Sequence, residues 1–223
     1  MAHFTQDYLD FFSELQANNH KDWFHANKKR YEKSVKKPFA AFVEHMIDRI
    51  AEHDPEVRIA AKDATMRINR DIRFSPDKTP YNTSMRAIIS AVGRKDRSYP
   101  GIFFKIDAEG VGFFGGAYML EKEKLRAVRE HIADDLEAFA RLISDPEFKA
   151  KFGEIRGEKN KRLPKEFQEA AAKQPLLFNK GFYYHTQIGP EHVLSDDLPD
   201  TMMEYWHVAR PMQQFLLDAL GLD

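Results

Sequence analysis

Thr65-Met66-Arg67-Ile68-Asn69-Arg70-Asp71-Ile72-Arg73-Phe74-Ser75-Pro76-Asp77-Lys78-Thr79-Pro80-Tyr81 is the stretch on which the reading of this chain turns. Met66, Ile68, Ile72 and Phe74 are apolar, whereas Thr65, Arg67, Asn69, Asp71, Arg73 and Ser75 are polar. That is the two-residue period of a half-buried strand, and Arg70 alone breaks the apolar row. After Phe74 two prolines remove backbone donors and Ser75 and Asp77 favour turns, so a central strand cannot continue. The expectation is a strand with one polar face feeding a rigid loop.

On such a strand Arg67, Asp71 and Arg73 share a side. Guanidinium forks suit carboxylate or phosphate oxygens, and Lys78 adds a mobile point charge. Arg67, Arg70, Arg73, Lys78, Tyr81 and Arg86 are therefore the candidate ligand-binding residues, and Asp71 and Asp77 the candidate catalytic bases. The same residues also have a structural reading, in which Asp71 and Asp77 pair with the arginines and brace the loop. Two acids cannot neutralise Arg67, Arg70, Arg73, Lys78 and Arg86, however, so positive charge is left over. The expected ligand is a small anion bearing phosphate or carboxylate, and whether it is turned over stays open. Asn18, Asn19 and Lys21 line the same site if the first helix junction abuts it; otherwise Asn19 is a helix N-cap.

Working outward, Phe4, Tyr8, Phe11, Phe12 and Leu15 predict an amphipathic helix ending near Asn18. A second helix, with Asp22 in its first turn, presents Trp23 or Phe24, Tyr31, Val35, Phe39, Phe42, Met46 and Ile50, with a kink or break expected at Pro38. Residues 87–92, 102–106 and 111–118 read as strands, 93–101 as a polar loop and 107–110 as a hairpin connection. Gly112, Gly115 and Gly116 predict a bulge or a close backbone approach. Leu125, Val128, Ile132, Leu136, Phe139 and Ile143 predict one long helix, and 146–152 a weaker one. The basic run to Lys165 reads as loop, 182–188 as a strand, and 199–220 as a helix capped by Ser195 or Asp197 and interrupted near Pro211. The fold class expected is α+β: a curved, mainly antiparallel sheet with helices packed on one face, helical at both ends of the chain, in a single domain over residues 1–223.

Composition narrows the function classes. The formal charge of the 223 residues is -1, which exerts no global pull toward nucleic acid or an anionic membrane. Positive charge is local: residues 67–97 hold eight basic against three acidic residues, and 151–165 six against two. The absence of cysteine excludes disulfides and thiolate chemistry and suits a reducing compartment. No leader pattern and no long apolar run is present, so a cytoplasmic protein without membrane contact is expected. His185 and His192 straddle a strand end and His20 and His25 lie five apart, without the spacing of a zinc helix, so no metal is expected. No dinucleotide fingerprint, phosphate loop or nucleophile elbow occurs, and no cofactor is expected. A second functional class is an interaction module in which Arg94, Lys95, Arg97 and residues 159–165 form a basic surface near Tyr99 for nucleic acid or an acidic protein, the Arg/Asp cluster then being structural. The near-neutral total charge favours the first class, and nucleic acid is not the expected partner.

Three segments carry a resemblance: Asn18-Asn19-His20-Lys21-Asp22-Trp23-Phe24, the run from Arg67 to Tyr81, and Phe114-Gly115-Gly116-Ala117-Tyr118. The chain resembles a bacterial family of conserved hypothetical proteins catalogued as domain of unknown function 2461. The likeness extends along nearly the whole chain, including Leu163-Pro164-Lys165 and Lys180-Gly181-Phe182. The Arg67 to Tyr81 motif is specific and the Gly-Gly motif is not. After the glycines the family often has a proline where this chain reads Met119-Leu120. The resemblance implies a single domain and brings no reaction, cofactor or partner with it.

Overall fold

In a computed structural model, which describes residues 2–222, the N-terminal aromatic residues line a helix, as their spacing predicts. Helix α1 (Gln6–Ala17) buries Tyr8, Leu9, Phe11, Phe12 and Leu15. It is followed by α2 (Lys21–Ala26) and the short α3 (Lys28–Arg30). A π segment (Tyr31–Lys36) then leads without interruption into α4 (Lys37–Ala51). The helix is therefore not broken at Pro38, and the irregularity expected there takes the form of the π segment before it. A proline ring clashes with the carbonyl four residues before it, and a wider turn placed there displaces that carbonyl while the helix continues.

Asn19 is not the cap of α2. His20 is, its ring accepting a hydrogen bond from the Trp23 N–H at 3.3 Å. After α5 (Ala61–Ala64) come three strands, β1 (Met85–Ile89), β2 (Gly101–Asp107) and β3 (Gly110–Ala117). The expected long helix is divided into α6 (Lys122–Asp134) and α7 (Leu136–Ser144). Asp135 leaves the helical conformation between them, and its carboxylate accepts the Ala138 N–H at 2.8 Å as the cap of α7. There follow α8 (Pro146–Phe152), α9 (Gln168–Lys173), β4 (Phe182–Ile188), α10 (Pro190–Val193) and α11 (Leu198–Leu220). Pro211 lies inside α11 and does not interrupt it. Met202, Met203, Trp206 and Ala209 before the proline, and Met212, Phe215 and Leu216 after it, are all buried, so packing holds the helix through the missing hydrogen bond.

The fold class is α+β, with the strands in one antiparallel sheet in the order β1-β2-β3-β4. Burial alternates along β2, with Ile102, Phe104 and Ile106 buried, and along β4, with Phe182 and Tyr184 buried between half-exposed neighbours. One face of each strand is therefore the covered one. Gly110 and Gly116 have φ of +115° and +97°, and a Cβ there would strike the backbone carbonyls of Ile188 and Phe182. Of the glycines expected to mark a bulge or a close approach, Gly115 and Gly116 mark a close approach of β3 to β4, a Cβ at Gly115 meeting the Tyr184 ring. Met119 has φ +57°, a value a proline ring cannot reach, so a proline at this position could not take the same corner.

The chain divides into two units. Unit 1 comprises Met1–Lys95, Phe103–Phe113 and Gln187–Met203, and unit 2 comprises Asp96–Ile102, Phe114–Thr186 and Glu204–Asp223. In unit 1 the Tyr8 hydroxyl donates to the Ile106 carbonyl at 3.2 Å, and the Phe39 and Phe42 rings lie 5.9 and 5.8 Å from that of Phe104. In unit 2 the Tyr184 ring is buried between Phe148 and Phe152 at 4.9 and 4.8 Å, and Phe139 meets Phe182 edge-on. Each ring so buried contributes about 2–3 kcal/mol relative to exposure. Among the described residues no helix is long and apolar enough to cross a membrane.

Candidate functional site

The stretch expected to be a strand is a braced loop in unit 1. Only two isolated bridges survive from the strand, Thr65 with Ala87 and Asn69 with Tyr81, both antiparallel. The Arg70 N–H donates to the Pro80 carbonyl at 2.9 Å and the Asn82 N–H to the Ile68 carbonyl at 2.7 Å, closing a loop over residues 70–80. The alternation holds as far as Ile68, 5% exposed, and fails by Phe74, 93% exposed. Arg70 explains the failure. Its guanidinium sits inside the loop, where Nη1 donates to the Asp77 carboxylate, the Thr79 hydroxyl and, at 3.2 Å, the Thr79 carbonyl. Nη2 reaches the Ser75 hydroxyl at 3.4 Å. A guanidinium with this many fixed acceptors gathers the chain around itself, which a flat strand would not allow.

The remaining charges lie on the outside of the loop. Arg73 holds Asp71 with Nε at 2.9 Å and Nη2 at 2.7 Å, and its N–H adds a third bond at 3.3 Å. The Arg73 guanidinium stands 5.8 Å from the centre of the exposed Phe74 ring. Lys78 Nζ donates to the Ile72 carbonyl at 2.9 Å, and Arg86, on β1, extends Nη2 to the Arg67 carbonyl at 3.4 Å. Neither Arg67 nor Lys78 makes an ion pair among the described residues. The Arg73 side-chain bonds hold the Asp71 carboxyl down at about 2, and the Thr79 N–H, followed by Arg70, holds Asp77 at about 2. Carboxylates so stabilised are weak proton acceptors near neutral pH.

Two residues outside the expected strand fasten the loop. Asn19 Nδ2 donates to the Tyr81 carbonyl at 2.9 Å, and Asn19 Oδ1 accepts the Tyr81 N–H at 3.1 Å. The Tyr81 ring stacks on Phe24 with centroids 4.0 Å apart and planes at 17°. Tyr81 is 5% exposed, and its ring is an anchor. Thus Arg70 and Tyr81 form the inside of the structure, with Asp77 reaching Arg70 from the surface, whereas Arg67, Asp71, Arg73 and Lys78 are on its exposed side.

A second cationic feature of unit 1 escaped the sequence reading. An open groove of about 450 Å³ runs beside the π segment, lined by His25, Lys28, Lys29, Glu32, Lys33 and Lys37. Glu32, the acid of that lining, holds Lys36 at 3.0 Å. Lys29, Lys33 and Lys37 recur at four-residue spacing, a sequence signal for one cationic face on the side of the helix away from its aromatic stripe. Among the described residues no group of three or more His, Asp or Glu could hold a metal.

A family model described as "Conserved hypothetical protein (DUF2461)" matches residues 7–215 of the chain. No curated protein matches, and no solved structure matches.

Proposed function

The chain belongs to that family of conserved hypothetical proteins, whose description carries no reaction, and from the loop we propose that unit 1 binds a small anion bearing phosphate or carboxylate. One observation carries the reading. Each acid of the loop is already held by an arginine, Asp77 by Arg70 and Asp71 by Arg73, so that Arg67 and Lys78 make no ion pair among the described residues, and Arg73 stands over the exposed Phe74 ring. Two cations projecting from a braced backbone pre-organise a site for oxygens, and Phe74 offers a flat apolar surface to whatever carries them. In this reading Arg70 and Tyr81 shape the site, Arg67, Arg73 and Lys78 grip the ligand, and Arg86 supports Arg67 through its carbonyl. Asp71 and Asp77, both weak bases, orient arginines, so binding is the function proposed and not proton abstraction.

Thermal shift tests this. Inorganic phosphate, nucleotides and dicarboxylates should raise the melting temperature of the wild type, by an amount equivalent to about 2.7 kcal/mol at a hundredfold excess over the dissociation constant. Lys78→Met should abolish the response while leaving the unliganded melting temperature nearly unchanged, since Lys78 is exposed. If Lys33→Met removes the response and Lys78→Met does not, the anion belongs to the lysine groove and the loop reading fails.

A further inference from the structure

Unit 2 carries a surface with a different character. Along β4, Phe182 and Tyr184 are buried while Tyr183 and His185 between and beyond them are half-exposed; along β3, Gly115 and Ala117 are buried and Phe114 is half-exposed. The side of the strands turned away from Phe139, Phe148 and Phe152 therefore presents rings. Phe114 and His185 lie 5.3 Å apart, and Tyr183 meets Tyr118 edge-on at 5.4 Å. Tyr118 is 54% exposed and Met119, at the left-handed corner, 62%.

The basic run is loop, as its composition predicts, but two isolated bridges fasten its start beside β4 and bring Arg156 next to these rings. Arg156 pairs with Tyr183 through hydrogen bonds of 2.7 and 3.2 Å, and Lys159 bridges Asn179. The Lys180 N–H donates to the Glu158 carbonyl at 2.7 Å, so residues 156–159 run beside the start of β4 and the residues that lead into it. Within 151–165 Lys151 is engaged by Glu204 and Glu158 by Lys180, both at 3.4 Å. Lys159, Lys161, Arg162 and Lys165 make no ion pair among the described residues. Arg156 Nη1 lies 2.8 Å from His185 Nε2, which requires the ring nitrogen to accept and leaves the guanidinium charge uncancelled.

We propose that this surface of unit 2 binds single-stranded nucleic acid, its bases stacking on Tyr118, Tyr183 and Phe114 and its phosphates following Arg156, Lys159 and Arg162. The cation strip selects a polyanion, and the rings select one with flat apolar groups to lay on them. A single strand has both, whereas a duplex keeps its base faces hidden and an acidic peptide has few planar groups. The neutral whole-chain charge does not oppose this, because screening beyond about 8–10 Å makes the local strip the field that a bound strand feels.

The experiment is fluorescence anisotropy with a labelled oligothymidine of about 12 nucleotides on the full chain. Saturable binding is expected at about 50 mM salt, weakening about fiftyfold at about 200 mM if four phosphates are neutralised. Tyr118→Ala and Tyr183→Ala should each weaken it about tenfold, and Tyr118→Phe should not. Tyr118 is exposed enough that its replacement leaves the melting temperature in place, which keeps the test independent of folding. Lys159→Glu with Arg162→Glu should abolish binding. The proposal is overturned if no saturable binding occurs at the lower salt, or if the tyrosine variants bind like the wild type. It is equally overturned if a duplex of the same length binds as tightly, or polyglutamate at equal charge displaces the strand.

Discussion

Asn19 shows how a single side chain can be misassigned by a rule that is right in general. It follows a helix and precedes another, and asparagine is a preferred N-cap, yet the amide is used on the Tyr81 backbone and the cap is supplied by His20. Histidine is not among the preferred caps, so nothing in residue type favoured it. The consequence is measurable. Asn19→Ala removes two hydrogen bonds to a part-buried peptide and should cost about 2 kcal/mol in urea unfolding with an unchanged m-value. His20→Ala, which removes one exposed bond of 3.3 Å, should cost less than about 1 kcal/mol. Equal costs for the two variants would mean that Asn19 does not hold the loop.

At the scale of the element, the loop over residues 70–80 is held by a carboxylate whose protonation can be followed. Asp77 in the folded chain is held at about 2, below the ordinary 3.8, by the Thr79 N–H first and then by Arg70. A lowered folded pKa means that the ionised form is the one the fold favours. The brace is therefore complete above about pH 4 and is lost as pH falls from there toward 2. Carbon-13 titration of the Asp77 carboxyl should show a midpoint near 2, moving up toward the ordinary value in Arg70→Gln. A wild-type midpoint near 3.8 would mean that the carboxylate is not held. The sequence displayed the actors of this loop and mistook their arrangement. Helix α1, the later part of the sheet and α8 were legible because apolar period and turn residues agreed there. In the stretch from Met66 to Phe74 the period of two continued past Ile68 without a core to bury Phe74, and the exception within it, Arg70, was the informative residue. The division between α6 and α7 and the pairing of Arg156 with Tyr183 were illegible for a related reason. In the first a capping carboxylate overrides an unbroken apolar stripe, and in the second a backbone pairing acts on a segment whose side chains indicate solvent.

For the whole molecule the question is whether two units mean two folding events. Strands β2, β3 and β4 and helix α11 each contribute residues to both units, the chain passing from one to the other within the element. Such an element cannot keep half of its ladder or half of its turns when the residues that continue it are lost, because register and helix propagation are cooperative along the chain. Neither unit owns a complete three-stranded sheet, and small sheets are marginal alone. We therefore expect one calorimetric transition. For 223 residues the enthalpy should be about 150 kcal/mol near 60 °C, with a van't Hoff value equal to it. Independent units would instead give a van't Hoff enthalpy of about half the calorimetric one, or two resolved peaks. Anion binding in unit 1 supplies the sharper version of the same test. If the units unfold together, phosphate that stabilises the loop must raise the temperature at which the buried Tyr184 of unit 2 becomes exposed by the same amount. A ligand that shifts unit 1 probes and leaves near-ultraviolet or hydrogen-exchange probes around Tyr184 where they were would show the two halves to be uncoupled.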